Sequence, residues 1–215
     1  MTLPLEYRKI TAPYYKVRVF EYWGDIYESI FCYLKPFLKV KEGSAILDSI
    51  DDPSVYFNYQ LLAEHSIPLT WNDMLKLTGL QTLGQLRAAI FGSGLLRDIC
   101  EKEKIILPYQ DIFSPHQLES LLPILSKLGH HKVRCIPELP EHDPPVVVDL
   151  GIETIINQHN RLRCLQTLDE TLFFGNAFDF VETYICGSKE QVQLFANSLE
   201  GFMCTEKTRT NWHDD

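Results

Sequence analysis

The 215-residue chain has no C-x-x-C pair, no P-loop and no G-x-G-x-x-G run. Those absences remove the common zinc and dithiol motifs, the Walker phosphate cradle and the dinucleotide fingerprint. Its longest apolar stretch, 26–38, is broken by Glu28, Lys35 and Pro36. It is too short and too polar to span a bilayer. Cations are scarce: 20 Lys and Arg face 29 Asp and Glu, a net charge of −9. A duplex-DNA binder neutralises phosphates with Lys and Arg, so nucleic-acid binding is not expected. Residues 1–7 are mixed in character, which predicts no signal peptide.

What is present reads as an ordinary globular protein. Hydrophobic residues make up 45% and charged residues 23%, far from the disordered pattern. The six cysteines, Cys32, Cys100, Cys135, Cys164, Cys186 and Cys204, are scattered. This usage predicts thiols in a reducing cytoplasm rather than a disulfide framework.

Patterning predicts an α+β fold in one compact domain, 1–215. Residues 1–129 read as mainly helical, and 130–215 as a small sheet with a packed helix. Residues 1–15, rich in Pro and Tyr, read as an extended arm. Trp23, Ile26, Tyr27, Ile30, Phe31 and Leu34 recur at helical spacing, which predicts an amphipathic helix ending before Pro36. Residues 40–53 read as loop. Thr70 and Thr82 are candidate caps for two short helices joined at Gly79. Ser114-Pro115-His116-Gln117 is a sharp helix start: Ser caps, Pro sits at N1, and Gln at N3 can reach back. That helix runs to Leu128, ends at Gly129 and carries Pro123 as a kink.

After Gly129, 132–136 and 178–186 read as strands, 146–148 as a buried strand and 152–159 as a helix. Gly175-Asn176 reads as a turn. Ser188-x-x-Gln191 is a second capping box, opening a helix that Gly201 ends. Phe202 to Trp212 reads as a last strand, buried at its ends and exposed or bulged between them.

The candidate chemistry is thin, and no catalytic residue is assigned. The outline over 71–90 resembles helix-turn-helix, but Leu75 falls where a small residue is usual and Gln85 where an apolar one is needed. Arg87 is the second helix's only cation, so an αα-hairpin explains the segment equally. His130, His131, His142, Asp143 and Cys135 lie in one stretch, yet the loop over 137–145 that carries His142 and Asp143 holds four prolines, and no second pair answers them. We assign no metal and no cofactor; His130 and His131 suit the C-terminal end of the preceding helix. Gly92-Ser93-Gly94 lacks the nucleophile-elbow spacing. Cys186 lies before a helix N-terminus, where a dipole lowers a thiol pKa, but a small core residue is the commoner role. Asp179 and Glu182 would face opposite sides of a strand. Glu138 with Glu141 is a further carboxylate pair, and Asp51 with Asp52 reads as a solvated turn.

Leu34-Lys35-Pro36-Phe37, Trp71-Asn72-Asp73-Met74 with Thr78-Gly79-Leu80, Cys186-Gly187-Ser188-Lys189-Glu190, and Leu199-Glu200-Gly201-Phe202 with Trp212 together resemble a family of unknown function from Gram-positive spore-forming bacteria, the domain of unknown function 2711. The resemblance implies a bacterial cytosolic protein and assigns no functional residue. The reading that follows is a non-enzymatic protein acting through protein–protein contacts, with another protein or a second copy as partner and no membrane. Tyr7, Tyr14, Tyr15 and Tyr22 are candidate interface aromatics. An enzyme of unfamiliar type and a helix-turn-helix regulator are the alternatives.

Overall fold

The structure, a computed structural model, describes residues 8–9, 11–12, 17–39, 54–56, 64, 98–106, 112–158, 162–176, 182–206 and 208–210. Its centre is a seven-stranded antiparallel sheet. The strands are β2 (Ser29–Leu34), β6 (Lys132–Pro137), β7 (Val146–Asp149), β8 (Leu162–Thr167), β9 (Phe173–Asn176), β10 (Glu182–Gly187) and β11 (Gly201–Met203), in the order β11-β2-β10-β9-β8-β6-β7. A two-stranded sheet joins β1 (Val17–Arg18) to β12 (Arg209–Thr210). A three-stranded one sets β3 (Phe37–Lys39) between β4 (Ser54–Tyr56) and β5 (Ile105–Ile106). The helices described from end to end are α1 (Val19–Trp23), α2 (Pro115–Lys127), α3 (Ile152–Ile156) and α4 (Lys189–Ala196), and residues 98–103 are helical as well.

The α+β class holds, but the predicted division of the chain does not. The segment read as a helix over 23–34 contains β2, which pairs with β10 on one side and β11 on the other. Its six residues are all buried. Ile30, Cys32 and Leu34 face one core, while Phe31 and Tyr33 face the other. A strand apolar on both faces has no polar alternation to reveal it, and every-third-residue spacing then arises by chance. The sheet is therefore neither small nor confined to 130–215, and the helical description of 1–129 fails at β1, β2, β3 and β5.

Two cores flank the sheet. On one face Leu118, Leu121 and Leu125 of α2, Ile155 of α3 and Val192 and Phe195 of α4 pack on Phe31, Val133, Leu165, Phe174 and Ile185. On the other, Val19, Tyr22 and Trp23 of α1 pack with Cys164, Phe173, Tyr184 and Cys186. Trp23 is fully buried, with ring centroids 5.7 Å from Phe173 and 5.6 Å from Tyr184. Burying one such side chain is worth about 1.5–3 kcal/mol. Tyr22 is 2% exposed, so it is a core ring and not the interface aromatic expected. Gly175-Asn176 is no turn either; both residues end β9. A Cβ on Gly175 would stand 3.3 Å from Trp23 Cζ2 and 2.7 Å from Phe173 Cε1, so the glycine admits the indole.

The helix starts read at Ser114 and Ser188 and the stop at Gly129 hold, but Gly201, read as the end of the last helix, opens β11, and α4 already ends at Ala196. Ser114 Oγ accepts from Gln117 N at 3.2 Å, and α2 continues through Pro123. Gly129 adopts φ +88°. Gly129 N–H donates to Ser126 O at 3.0 Å and His130 N–H to Leu125 O at 3.1 Å, the paired bonds of a Schellman end. Ser188 and Gln191 form the capping box of α4. The final strand divides: β11 pairs with β2, while β12 pairs with β1. Between them Cys204 N–H reaches Ile30 O at 2.8 Å, and Cys204 and Thr208 are buried. Among the described residues no helix is long and apolar enough to cross a membrane.

The helix-turn-helix segment 71–90, the arm's Tyr7, Tyr14 and Tyr15, the loop over 40–53 with Asp51 and Asp52, the Gly92-Ser93-Gly94 run, Asp179 and Trp212 lie outside the described residues.

Candidate functional site

Two features of the sheet were not read from the sequence. The first is a row of buried polar groups at one end. Register aligns the end of β2 with the start of β10, and the end of β9 with the start of β8. Lys35, Glu182, Thr183, Asn176 and Arg163 are therefore neighbours in the fold, and all are buried. Gln117 of α2 donates through Nε2 to Thr183 Oγ1 at 2.5 Å, instead of reaching back to its own cap. Thr183 donates to Asn176 Oδ1 at 2.5 Å, and Asn176 Nδ2 donates to Arg163 O at 3.1 Å. Arg163 Nη2 meets Glu138 Oε1 at 2.9 Å, their side chains 5% and 15% exposed. Lys35 Nζ donates to Ile112 O at 3.0 Å. Gln117 Oε1 is buried with no hydrogen-bond partner. Such a row fixes strand register and helix position together, because each group stranded in the core is costly.

The second feature is the lateral margin of the sheet at β7. Among the described residues β7 is the terminal strand and pairs only with β6. The expected buried strand is thus an edge: Val148 is 8% exposed, but Val146 is 38% and Val147 48%. Leu139, two residues beyond the end of β6, is 48% exposed. Leu150 N–H donates to His131 O at 2.9 Å. Antiparallel ladders alternate, so Val146, Val148 and Leu150 turn their backbone groups toward β6, while Val147 and Asp149 turn theirs outward. Among the described residues neither Val147 N–H nor Asp149 N–H has a partner. Open edges of this kind are templates for another strand.

A groove of about 480 Å³ lies beside this edge, lined by Leu122, Pro123, Leu150 and Ile152 with Glu119, Ser126, His131 and Asp149. A second, of about 330 Å³, is lined by His130, His131, Lys132, Leu168 and Asp169 with Gly129. Both are open, and the charged groups around them are solvated: Asp149 is 81% exposed and Lys132 55%, at 3.6 Å from each other.

The histidine stretch does not converge. His130 and His131 line these grooves, His142 is exposed in the β6–β7 loop, and Cys135 is fully buried in β6. Among the described residues no three His, Cys, Asp or Glu side chains are grouped to hold a metal. All six cysteines are buried thiols. Burial lifts the Cys186 thiol well above its ordinary range, with Cys204 and Cys164 adding to the rise. The dipole of α4 does not overcome that, so Cys186 is a packing residue and a poor nucleophile. Glu182 is a fully buried carboxylate.

No curated protein and no solved structure matches the chain. The family described as protein of unknown function, DUF2711, matches residues 15–214, nearly the whole length, and the chain belongs to that family.

Proposed function

We propose that this protein acts through contact with another protein, made at the β7 edge, and that it works in a reducing cytoplasm. The observation that carries the reading is the pair of outward backbone positions, unpartnered among the described residues, on a strand whose Val146 and Val147 are exposed. Leaving Val146, Val147 and Leu139 in water is unfavourable, and covering them offsets that. Six thiols without a disulfide support the compartment. A photo-crosslinking side chain at position 147 should form a discrete adduct in living cells, while the same group at exposed Leu194 on α4 should not. Equal labelling at both positions, or none at 147, would contradict the reading.

A second reading, an enzyme of unfamiliar type, rests on the polar row of Lys35, Glu182, Asn176 and Arg163 along the strand ends of the sheet. A metabolite that raises the melting temperature of the wild type but not of Asn176→Leu would favour it.

A further inference from the structure

We propose, resting on that reading, that the partner is an extended segment carrying basic and apolar residues, which adds to β7 as an eighth strand of the main sheet. The backbone geometry sets the mode. Val147 and Asp149 each present an N–H and a C=O outward at the spacing of a ladder. The usable length is short. Pro144 and Pro145 precede β7, and Pro145 has no N–H to donate, while α3 begins at Ile152. Main-chain bonds from so few residues hold weakly, so side chains must supply selectivity.

Charge sets the partner's chemistry. The chain carries −9 overall. Asp149 lies at one end of the edge, 81% exposed and 3.6 Å from Lys132. Glu119, 56% exposed and 3.5 Å from His116, rims the adjoining groove. The β6–β7 loop at the other end holds exposed Glu141 and Asp143. Strand alternation sets Val146 on one face and Val147 with Asp149 on the other, so apolar residues of the added strand would cover Val146, while basic ones would lay their stems over Val147 and meet Asp149. A second copy of the chain fits less well. Two chains of −9 repel, and two-fold pairing of outward residues sets Asp149 of one chain against Val147 or Pro145 of the other.

The probe is a short synthetic peptide of alternating lysine and valine, compared with one in which glutamate replaces lysine. Binding is read by fluorescence anisotropy on the full-length protein. The lysine peptide should bind, rising salt should weaken it, and the glutamate peptide should bind at least about tenfold less tightly. Val147→Pro removes an outward N–H and no bond to β6, so it should keep the fold and weaken binding by about tenfold or more. Val147→Thr, which keeps that N–H but gives up apolar cover, tests whether the fold tolerates change there and should bind more tightly than Val147→Pro. Equal affinity for both peptides would overturn the charge argument, and undiminished binding to Val147→Pro would overturn strand addition. A concentration-dependent dimer abolished by Val147→Pro would overturn the choice of partner. Adducts at position 147 in cells, with no peptide bound, would refute strand addition by a basic segment while leaving the contact reading standing. Loss of both would remove the contact reading as well.

Discussion

Thr183 holds two buried amides at once, accepting from Gln117 and donating to Asn176. Thr183→Val keeps the shape and strands both partners, so unfolding in urea should show a loss of about 1–3 kcal/mol for each stranded group. Gln117→Met removes one bond together with the partnerless Oε1, and should cost less than Thr183→Val. The reverse order would show that the row is not organised around Thr183. The buried thiols make a separate prediction. Burial pushes Cys135 and Cys164 up to about 12 from 9.0, and Tyr33 up to about 12 from 10.0. Folding keeps these groups protonated where the unfolded chain releases its protons. Their contribution is therefore complete below pH 9 and declines as pH rises toward 12. Stability measured across that window should fall steeply, with protons released on unfolding. A flat profile would mean the thiols are accessible to solvent in the folded state.

At the scale of elements, the signals that were legible are local ones. Ser114 and Ser188 cap helices through bonds three residues away, and Gly129 closes α2 through its own φ. The signals that misled are tertiary. Residues 29–34 form a strand because β10 and β11, distant in the chain, flank them. Gly175 stays extended because Trp23 packs over it. Residues 146–148 are apolar like a buried strand, and only the strand order makes them an edge. The polar row was invisible because Lys35, Gln117, Arg163, Asn176 and Thr183 come from five separate elements or loops. The C-terminal segment tests the element account. Deleting 201–215 removes β11 and β12, exposing one side of β2 and leaving β1 unpaired. The truncated chain should lose its sharp thermal transition, and a transition at the unchanged temperature would refute the pairing.

Among the described residues the seven-stranded sheet has two unlike margins. One margin ends in β11, where Met203 is 37% exposed, and the other in β7, with three exposed apolar residues on or near it. In the contact proposed above, the acidic charge and the two prolines before the short apolar edge would disfavour self-pairing while leaving room for a different strand. Amide hydrogen exchange resolved to single residues reads this directly. In the free protein Val148 and Leu150 should be protected by β6, while Val147 and Asp149 exchange near the rate of unstructured chain. With the lysine–valine peptide bound, protection should appear at Val147 and Asp149 and leave Val148 unchanged. Val147 and Asp149 as slow as Val148 in the free protein, or a bound peptide that leaves both fast, would contradict β7 as the contact edge.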